Sequence, residues 1–260
     1  MIEPDSNAVP NAARIYDFML GGHHHFDADR RAAEVLTQLV PSTPRWVRML
    51  RSFLHETVAQ LADEGFDRFL DLASGLPTAE HIDGTVPHAR VVYVDNDPLV
   101  VAYGTEILGG KPGVQYLQAD IRNIASILGS AAVRELLEGA SRLAIGFNAV
   151  TCFLTEEEIS RIARTLYDWA PPGSKLFATF ETKAPHLMTP RIQALVDMFE
   201  QMGSPYRFLT LQRSKELMDP WQPDTRGFRP LAELLGLPGE VPEEDREGVE
   251  LEFYGATLVK

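Results

Sequence analysis

Acidic side chains follow three successive apolar segments of the chain. Asp71 lies in "DRFLDL", Asp95 ends "ARVVYVD" and Asp120 ends "GVQYLQAD", while a fourth segment, "RLAIGFNAV", carries Asn148. Open parallel sheets bind ligands at the carboxyl ends of their strands. An acid after the second strand can accept hydrogen bonds from two ribose hydroxyls, and an acid or amide beyond the third can bind an adenine amino group. The spacing predicts a site for an adenosine-containing cofactor.

The turn after the first of these segments indicates which cofactor. The stretch "FLDLASGLPT" has Ala73, Gly75 and Pro77 in the turn where a dinucleotide-binding protein carries G-x-G-x-x-G. A pyrophosphate needs open backbone amides at a helix start, and a proline removes one of them. Gly75 still allows the backbone to approach a ligand closely. The turn therefore favours S-adenosylmethionine, which contains adenosine but no phosphate.

The elements that must position these residues alternate between strands and helices after Gly65. This alternation predicts β-α-β units and a parallel sheet, and the continuously apolar strands indicate that both faces of the sheet are covered. Two later segments, "YRFLTL" and "ELEFYGATLVK", are predicted as further strands. The acidic stretch "EVPEEDRE" between them is predicted as a solvated loop.

The first part of the chain, from Asn11 to Gly65, has helical periodicity and no strand signal. We expect residues 1–66 to form a helical N-terminal extension and residues 67–260 to form the α/β core. In "DADRRAAEVLTQLV" the predicted apolar stripe consists of Ala28, Ala32, Val35, Leu36 and Leu39.

The composition narrows the class of protein. The 260 residues carry a formal net charge of -13, so a nucleic acid would be repelled by the average field. One cysteine, Cys152, permits no disulfide within the chain. No apolar run approaches the roughly 20 residues of a membrane helix, and the N-terminus lacks the pattern of a signal peptide. We expect a cytoplasmic enzyme, monomeric or homodimeric, with neither nucleic-acid nor membrane partners.

Three consecutive histidines, residues 23–25, could suggest a metal site. Neighbouring side chains point apart on a helix, and only alternate ones share a face in an extended chain. We therefore expect no metal ion at this position. The preceding Gly21 and Gly22 are expected to end a helix and to act as a hinge.

The segments "FLDLASGLPT", "VVYVDNDP", "QADIR" and "ARIYDFMLGGHHHFDADRRAAE" resemble the actinobacterial-type S-adenosylmethionine-dependent methyltransferases first catalogued as a domain of unknown function. The similarity extends to "KELMDPWQPD" and "YGATLVK". The resemblance implies a class I methyltransferase fold, a Rossmann-like three-layer sandwich. Its sheet would be mostly parallel and seven-stranded with an antiparallel last strand, and a helical N-terminal lid would accompany it.

The resemblance also implies roles for individual residues. The turn at residues 73–77 would hold the methionine part of the cofactor, Asp95 and Asn96 the ribose, and Asp120 and Ile121 the adenine. The family has glycine where this chain has Ala73. The full set of residues expected to bind the cofactor is Tyr16, Gly22, Arg30, Asp71, Ala73, Ser74, Gly75, Asp95, Asn96, Asp120, Ile121 and Asn148.

By the same analogy, the N-terminal helical segment closes over the cofactor and shapes the acceptor pocket. Relatives commonly read "GGxHNF" where this chain reads "GGHHHF", so His24 matches the family histidine and is the candidate catalytic residue. Tyr16, His24 and Arg30 are the candidate lid residues. Methyl transfer from a sulfonium is an in-line displacement that needs a base only when the acceptor carries a proton of high pKa.

Three functions fit this pattern. The first is methyl transfer from S-adenosylmethionine to a small molecule. The second is NAD(P)-dependent oxidoreduction, which Asp95 fits but the missing glycines do not. The third is cofactor binding on a methyltransferase fold without methyl transfer.

Overall fold

A computed structural model of the chain describes residues 9–77, 81–183, 188–238 and 251–260. The strands in these ranges are β1 Arg68–Leu72, β2 Arg90–Asp95, β3 Val114–Gln118, β4 Ala144–Phe147, β5 Lys175–Thr182, β6 Gln222–Pro223, β7 Arg229–Pro230 and β8 Glu252–Val259. The helices are α1 Ala12–Met19, α2 Asp27–Leu39, α3 Thr43–Asp63, α4 Ile82–Thr85, α5 Pro98–Leu108, α6 Ile124–Leu128, α7 Ala131–Leu137, α8 Glu156–Trp169, α9 Pro190–Gln201, α10 Leu211–Leu217 and α11 Leu231–Leu234. Short 3-10 turns cover Ile121–Asn123 and Thr151–Phe153.

The strands form one mixed sheet in the order β3-β2-β1-β4-β5-β8-β6, and β7 also pairs with β8. Strands β1 to β5 are parallel, whereas β8 runs antiparallel to β5 along its whole length. The predicted mostly parallel sheet with an antiparallel last strand is therefore confirmed. The strand order reverses between β1 and β4, and the carboxyl ends of strands at such a switch point are where open α/β sheets bind ligands.

Helices cover both faces of the sheet because alternate residues of each strand point to opposite sides. In β1, Phe69 packs with α3 and α4, whereas Leu70 and Leu72 pack with α6, α7 and α8. Asp71 therefore lies on the same face as Phe69. Within α3, Leu54 and Val58 belong to the core on this face, so this N-terminal helix is one of the layers of the sandwich. The division of the chain at residue 66 stays a prediction.

The sheet differs in one respect from the seven strands expected. Eight strands are described, of which β6 and β7 contain two residues each. The strand predicted at "YRFLTL" is wrong, because there only Leu209 joins the sheet, through an isolated parallel bridge to Thr182. The segment instead places Tyr206 against Phe199, and Thr210 caps α10 by accepting a hydrogen bond from its backbone.

The apolar stripe predicted for α2 is confirmed at Ala28 and Leu36, which are buried, and Ala32 and Leu39 pack partly buried on the core. The prediction is wrong at Val35, which is 45% exposed, and Ala33 is buried in addition. The buried face also includes Asp29, which pairs with Arg14. Apolar periodicity alone did not reveal this internal ion pair.

Two further expectations concern other parts of the chain. The predicted loop "EVPEEDRE" lies outside the described residues. In the part of the chain that the structure describes, no helix is both long enough and apolar enough to cross a bilayer.

Candidate functional site

A cavity of about 300 Å³ lies at the carboxyl ends of the central strands. Its wall combines the ends of β1, β2 and β4 with helices α1 and α3 and with parts of β5, α9 and the start of β8. Most of the sequence-predicted site residues line it, namely Tyr16, Asp71, Ala73, Ser74, Gly75, Asp95, Asn96, Asp120, Ile121 and Asn148.

Asp95 ends β2 and presents a buried carboxylate to the cavity. Its Oδ2 accepts a hydrogen bond from the Gly75 amide at 3.0 Å, and its Oδ1 accepts one from the Asp97 amide at 3.0 Å. Burial raises the pKa of Asp95 to about 6, although both amides lower it. Each oxygen has a second lone pair. The carboxylate can therefore also bind a pair of neighbouring hydroxyls.

The turn between β1 and the cavity is tightly fixed. Ala73 and Gly75 have φ angles of 56° and 65°, in the left-handed region that favours glycine. The Ser74 amide donates to the Val94 carbonyl at 3.0 Å, and the Ser74 hydroxyl donates to the Tyr116 hydroxyl at 2.9 Å. Tyr116 in turn donates to the Gly75 carbonyl. The turn thus offers a rigid backbone edge to a ligand.

Asp71 and Arg51 are two ionisable side chains in the cavity wall. Both are almost fully buried, and room for the Asp71 carboxylate exists because its neighbour on β4 is Gly146, where an added Cβ would lie 2.2 Å from Asp71 Oδ1. Burial raises the pKa of Asp71 to about 7, and the positive charge of Arg51 partly counters this. Nε and Nη1 of Arg51 have no hydrogen-bond partner within the described residues.

The opposite end of the cavity is formed by the turn after β3. Asp120 caps this turn by accepting a hydrogen bond from the Arg122 amide at 2.8 Å, and it also pairs with the Arg122 guanidinium at 3.3 Å. Arg122 is held on its other side by Glu158 at 3.1 Å. Ile121 is buried beside it. A carboxylate such as that of Asp120 can accept a hydrogen bond from the amino group of a purine. The apolar side chain of Ile121 can pack against the flat face of the same purine.

Asn148 follows β4 and has two buried polar atoms without a partner among the described residues, Nδ2 and Oδ1. The next residue, Ala149, has a φ angle of 51°, and its amide donates to Thr179 Oγ1 at 2.7 Å. Buried polar groups are nearly always paired in native proteins. The orphaned amide of Asn148 therefore fits a wall that binds a polar ligand.

The part of the cavity enclosed by α1, α2, α3, α9 and β8 is apolar, and we call it the apolar chamber. Trp46 and Phe253 stack there with ring centroids 4.4 Å apart. The Phe153 centroid lies 5.7 Å from that of Phe199 and 5.5 Å from that of Tyr206. Aliphatic side chains complete the wall, among them Ile15, Leu36, Val40, Leu50, Leu195 and Leu251.

Glu181, in β5, brings a carboxyl group to the apolar chamber. It is paired in register with Phe253, whose ring lines the chamber. The Cys152 thiol is buried near the Glu181 carboxyl group, and Glu181 Oε2 has no partner among the described residues. Burial raises the pKa of Glu181 to about 7 and also raises that of Cys152.

The candidate lid residues are not all at the cavity. Tyr16 lines it, and its hydroxyl donates to the Val47 carbonyl at 3.0 Å. Gly22 and His24 lie outside the lining and contact Asp17 instead. An added Cβ on Gly22 would lie 2.1 Å from Asp17 Oδ1, so glycine is required there for packing.

Arg30 also lies outside the cavity lining. Its guanidinium pairs with Asp27 and hydrogen-bonds to His25 Nδ1 at 3.2 Å. The centroid of the His24 ring lies 5.1 Å from that of Tyr103 in α5. The structure therefore does not bring Gly22, His24 or Arg30 to the strand-end carboxylates, and their functional roles stay predictions.

Helix α1 is held near the end of β2 through Asp97, the N-cap of α5. Asp97 Oδ1 accepts hydrogen bonds from the first amides of α5, while its Oδ2 accepts from Asn11 Nδ2 at 2.7 Å and from Arg14 Nη1 at 3.3 Å. Arg14, which is 2% exposed, also pairs with Asp29 at 2.9 Å. This network positions Ile15 in the cavity wall.

Sequence reasoning missed Arg51 and Glu181. Arg51 lies on the buried stripe of α3 with Val47, Leu54 and Val58, and a charge on an apolar stripe is a recognisable signal. Glu181 lies near the carboxyl end of β5, so the rule that selected the acids of β1 to β3 also applies to it. In the described part of the chain, no three His, Cys, Asp or Glu side chains come together as metal ligands.

Comparisons with known proteins agree with this geometry. A protein of the DUF574 family from Streptomyces avermitilis superposes with a TM-score of 0.83 at 26% identity, covering 98% of this chain and 99% of its own. A candidate methyltransferase from Thermobifida fusca gives 0.83 at 27% identity, covering 97% and 96%. A geranyl diphosphate methyltransferase in complex with GPP and sinefungin gives 0.53 at 12% identity, covering 86% and 81%, which shows a shared fold alone.

The fold is that of a class I methyltransferase. A family model described as S-adenosyl methyltransferase matches residues 4–223, and the chain belongs to that family. S-adenosylmethionine is accordingly the expected cofactor. A search of curated proteins found no match.

Proposed function

We propose that the protein transfers the methyl group of S-adenosylmethionine to a small molecule bound in the apolar chamber. The observation that carries this proposal is the continuity of one cavity, which extends from the strand-end carboxylates Asp95 and Asp120 to the chamber around Trp46 and Phe253. A methyltransferase needs this arrangement because the donor and the acceptor must meet in line, shielded from water.

The adenosine half of the cofactor suits the β2 and β3 ends of the cavity. The Asp95 carboxylate is proposed to accept the two ribose hydroxyls, with Asn96 at the rim. Asp120 and Ile121 would hold the adenine by its amino group and its face. These roles agree with the lone pairs that remain on Asp95 after it has bound two backbone amides.

The amino-acid half is a zwitterion, and the wall carries a matching pair of charges. Arg51 would bind the carboxylate through its unpartnered Nε and Nη1 atoms, and Asp71 would bind the ammonium group. Asn148 would hold a further polar group through its orphaned amide. Orphaned buried donors of this kind are costly in the empty protein and are satisfied when a ligand supplies acceptors.

The bound cofactor supplies an electrophilic methyl group on a sulfonium. The residues of this chain bind the two halves of the cofactor, hold the acceptor and exclude water. Tyr16 lines the cavity, and its ring lies 5.4 Å from the Arg51 guanidinium, so the aromatic face lies close to the amino-acid end. Its face can favour a nearby cation electrostatically.

Isothermal titration calorimetry with S-adenosylmethionine, S-adenosylhomocysteine and NADH tests the cofactor. We expect the first two to bind and NADH not to bind. Incubation with S-adenosylmethionine labelled on the methyl group and a small-molecule extract of bacterial cells, followed by mass spectrometry, then tests transfer. Label that remains on the cofactor although the cofactor binds would indicate a binding protein instead of an enzyme.

A further inference from the structure

The apolar chamber, where we propose that the methyl acceptor binds, combines aromatic walls with a single carboxyl group among the described residues. Of the four carboxyl side chains that line the cavity in the described ranges, three belong to the cofactor end, and Glu181 alone faces the apolar chamber. Five aromatic rings surround that chamber: Trp46, Phe153, Phe199, Tyr206 and Phe253. Aromatic walls of this kind favour flat ring systems, through offset or edge-to-face contacts.

Glu181 has a free acceptor atom in an otherwise dry environment. Its Oε2 atom is buried and has no hydrogen-bond partner among the described residues. A buried carboxylate oxygen without a partner is costly unless a ligand donates a hydrogen bond to it. The position of Glu181 opposite Phe253 in the sheet places this acceptor beside the aromatic rings.

We infer that the methyl acceptor is a neutral aromatic compound with a hydroxyl group, that its ring lies in the apolar chamber, and that its hydroxyl donates to Glu181 Oε2. This inference rests on the proposed function and adds the acceptor class and the proton-accepting residue. A second anion would repel Glu181, and an ammonium group would lose its hydration on entering the chamber. A neutral hydroxyl avoids both penalties.

The transfer step balances with Glu181 as the proton acceptor. The acceptor oxygen forms a bond to the methyl carbon while the bond from that carbon to sulfur breaks, and the electron pair of the broken bond stays on sulfur. The hydroxyl proton moves to the Glu181 carboxylate. A methyl ether, neutral S-adenosylhomocysteine and a protonated Glu181 result, and water later removes the proton. Burial raises the pKa of Glu181 to about 7, a value suited to general-base work at neutral pH.

The test uses four probes that share one ring system: 2-naphthol, 2-methoxynaphthalene, 2-naphthoate and 2-(aminomethyl)naphthalene. Each is titrated calorimetrically into the full-length protein saturated with S-adenosylhomocysteine. We expect 2-naphthol to bind about tenfold or more tightly than each of the others, as a hydrogen bond to a charged group predicts. Equal binding of the ether and the naphthol, tighter binding of the amine or the naphthoate, or no binding of any probe would overturn the inference.

Two variants connect this preference to Glu181. Glu181→Gln keeps the shape of the side chain but removes its charge, and we expect it to lower naphthol affinity about tenfold while the affinity for S-adenosylhomocysteine stays unchanged. Glu252→Gln is the matched control, since Glu252 is exposed on the neighbouring strand and hydrogen-bonds to the Tyr254 hydroxyl. We expect this control to bind all probes like the wild type.

The readouts separate two kinds of failure. If the wild type does not bind S-adenosylhomocysteine, the proposed function itself fails. If S-adenosylhomocysteine binds but naphthol shows no preference, or if Glu181→Gln retains the preference in full, only the acceptor assignment fails. If Glu181→Gln does not fold, the comparison of the four probes on the wild type still decides the question.

Discussion

The Gly75 amide donates a 3.0 Å hydrogen bond to Asp95 Oδ2, so the turn after β1 and the end of β2 form one unit. The other oxygen of the same carboxylate holds the Asp97 amide at the start of α5. Asp95 therefore organises the site in addition to its proposed contact with the ribose.

Asp95→Ala tests both roles. We expect binding of S-adenosylhomocysteine to weaken by about 2–3 kcal/mol through loss of charge-assisted hydrogen bonds. We also expect the free energy of unfolding to fall by about 1–3 kcal/mol, because two backbone amides lose their acceptor. Calorimetry and urea unfolding measure the two effects. Asp219→Ala, at an aspartate that is 67% exposed, is the control. Wild-type affinity in a folded Asp95→Ala protein would remove Asp95 from the site.

Ala73→Gly is expected to stabilise the protein. The left-handed backbone at Ala73 carries a penalty of about 1–2 kcal/mol for a residue with a Cβ, and the added flexibility of glycine in the unfolded chain offsets about 0.4–1 kcal/mol of the gain. Cofactor affinity should be equal or higher. Ala194→Gly, in the exposed middle of α9, should instead lose about 1 kcal/mol. Equal losses of stability in the two variants would contradict the assignment of strain to Ala73.

Arg51→Met should discriminate between two ligands. We expect weaker binding of S-adenosylhomocysteine, which has the amino-acid carboxylate, and unchanged binding of 5'-methylthioadenosine, which lacks it. Truncation of one partner of a buried charge pair typically weakens binding by 2–5 kcal/mol, so the first effect should be at least about 2 kcal/mol. Arg48→Met, on the exposed side of the same helix, is the matched control. Equal weakening for both ligands would show that Arg51 acts on the shape of the site.

The raised pKa of Asp71 predicts how the free energy of unfolding changes with pH. Its folded-state pKa of about 7 lies above the ordinary value of 3.8, so the folded protein binds the additional proton between these two pH values. The free energy of unfolding of the wild type, relative to Asp71→Asn, should therefore rise as the pH falls from 8 through about 7 and level off below about 4. The total change should not exceed about 4 kcal/mol.

Urea unfolding of both proteins at several pH values measures this difference. Titrating groups whose charges do not act on Asp71 contribute equally to the two proteins and cancel in the comparison. The charge of Asp95 raises the pKa of Asp71 and is therefore part of the difference that is measured. A difference between wild type and Asp71→Asn that stays constant with pH would show that Asp71 ionises at its ordinary pKa.

Hydrogen exchange tests the N-terminal lid. Because α1 lines the cavity and residues 22–30 do not, we expect S-adenosylhomocysteine to protect the amides of residues 15–20 together with those of residues 73–77 and 95–97. The amides of residues 22–30 should change less. Protection confined to the two core segments would make α1 a static brace, and strong protection of residues 22–30 would restore His24 and Arg30 as ligand contacts.

Apolar runs predicted strands β1 to β4 and β8 because a strand covered on both faces has few polar residues. The same signal failed at "YRFLTL", where the aromatic residue Tyr206 packs against Phe199 and Phe153 instead of entering the sheet. Apolar character shows that a segment is buried. Whether it pairs as a strand depends on the partners that tertiary structure supplies.

The strand-end rule predicted the acids that line the cavity because it depends only on topology. His24 and Arg30 were predicted instead from the family resemblance, which gives residue types but not side-chain directions, and neither lines the cavity. Arg51 and Glu181 were missed although each leaves a sequence signal, Arg51 as a charge on the apolar stripe of α3 and Glu181 as an acid near the end of β5. The assembled fold shows that both line the cavity.

The two carboxylate oxygens of Asp97 join the start of α5 to the N-terminal segment, and this junction can affect how tightly the cofactor is held. One oxygen of this side chain caps α5, the helix that follows Asp95, and the other accepts hydrogen bonds from Asn11 and Arg14 of the N-terminal segment. Coupling between binding events is reciprocal, so a cofactor that tightens this junction is itself retained more strongly by the same factor. Release of S-adenosylhomocysteine would then depend on the detachment of α1. A variant that weakens the hydrogen bond between Asn11 and Asp97 would bind the cofactor less tightly and turn over faster.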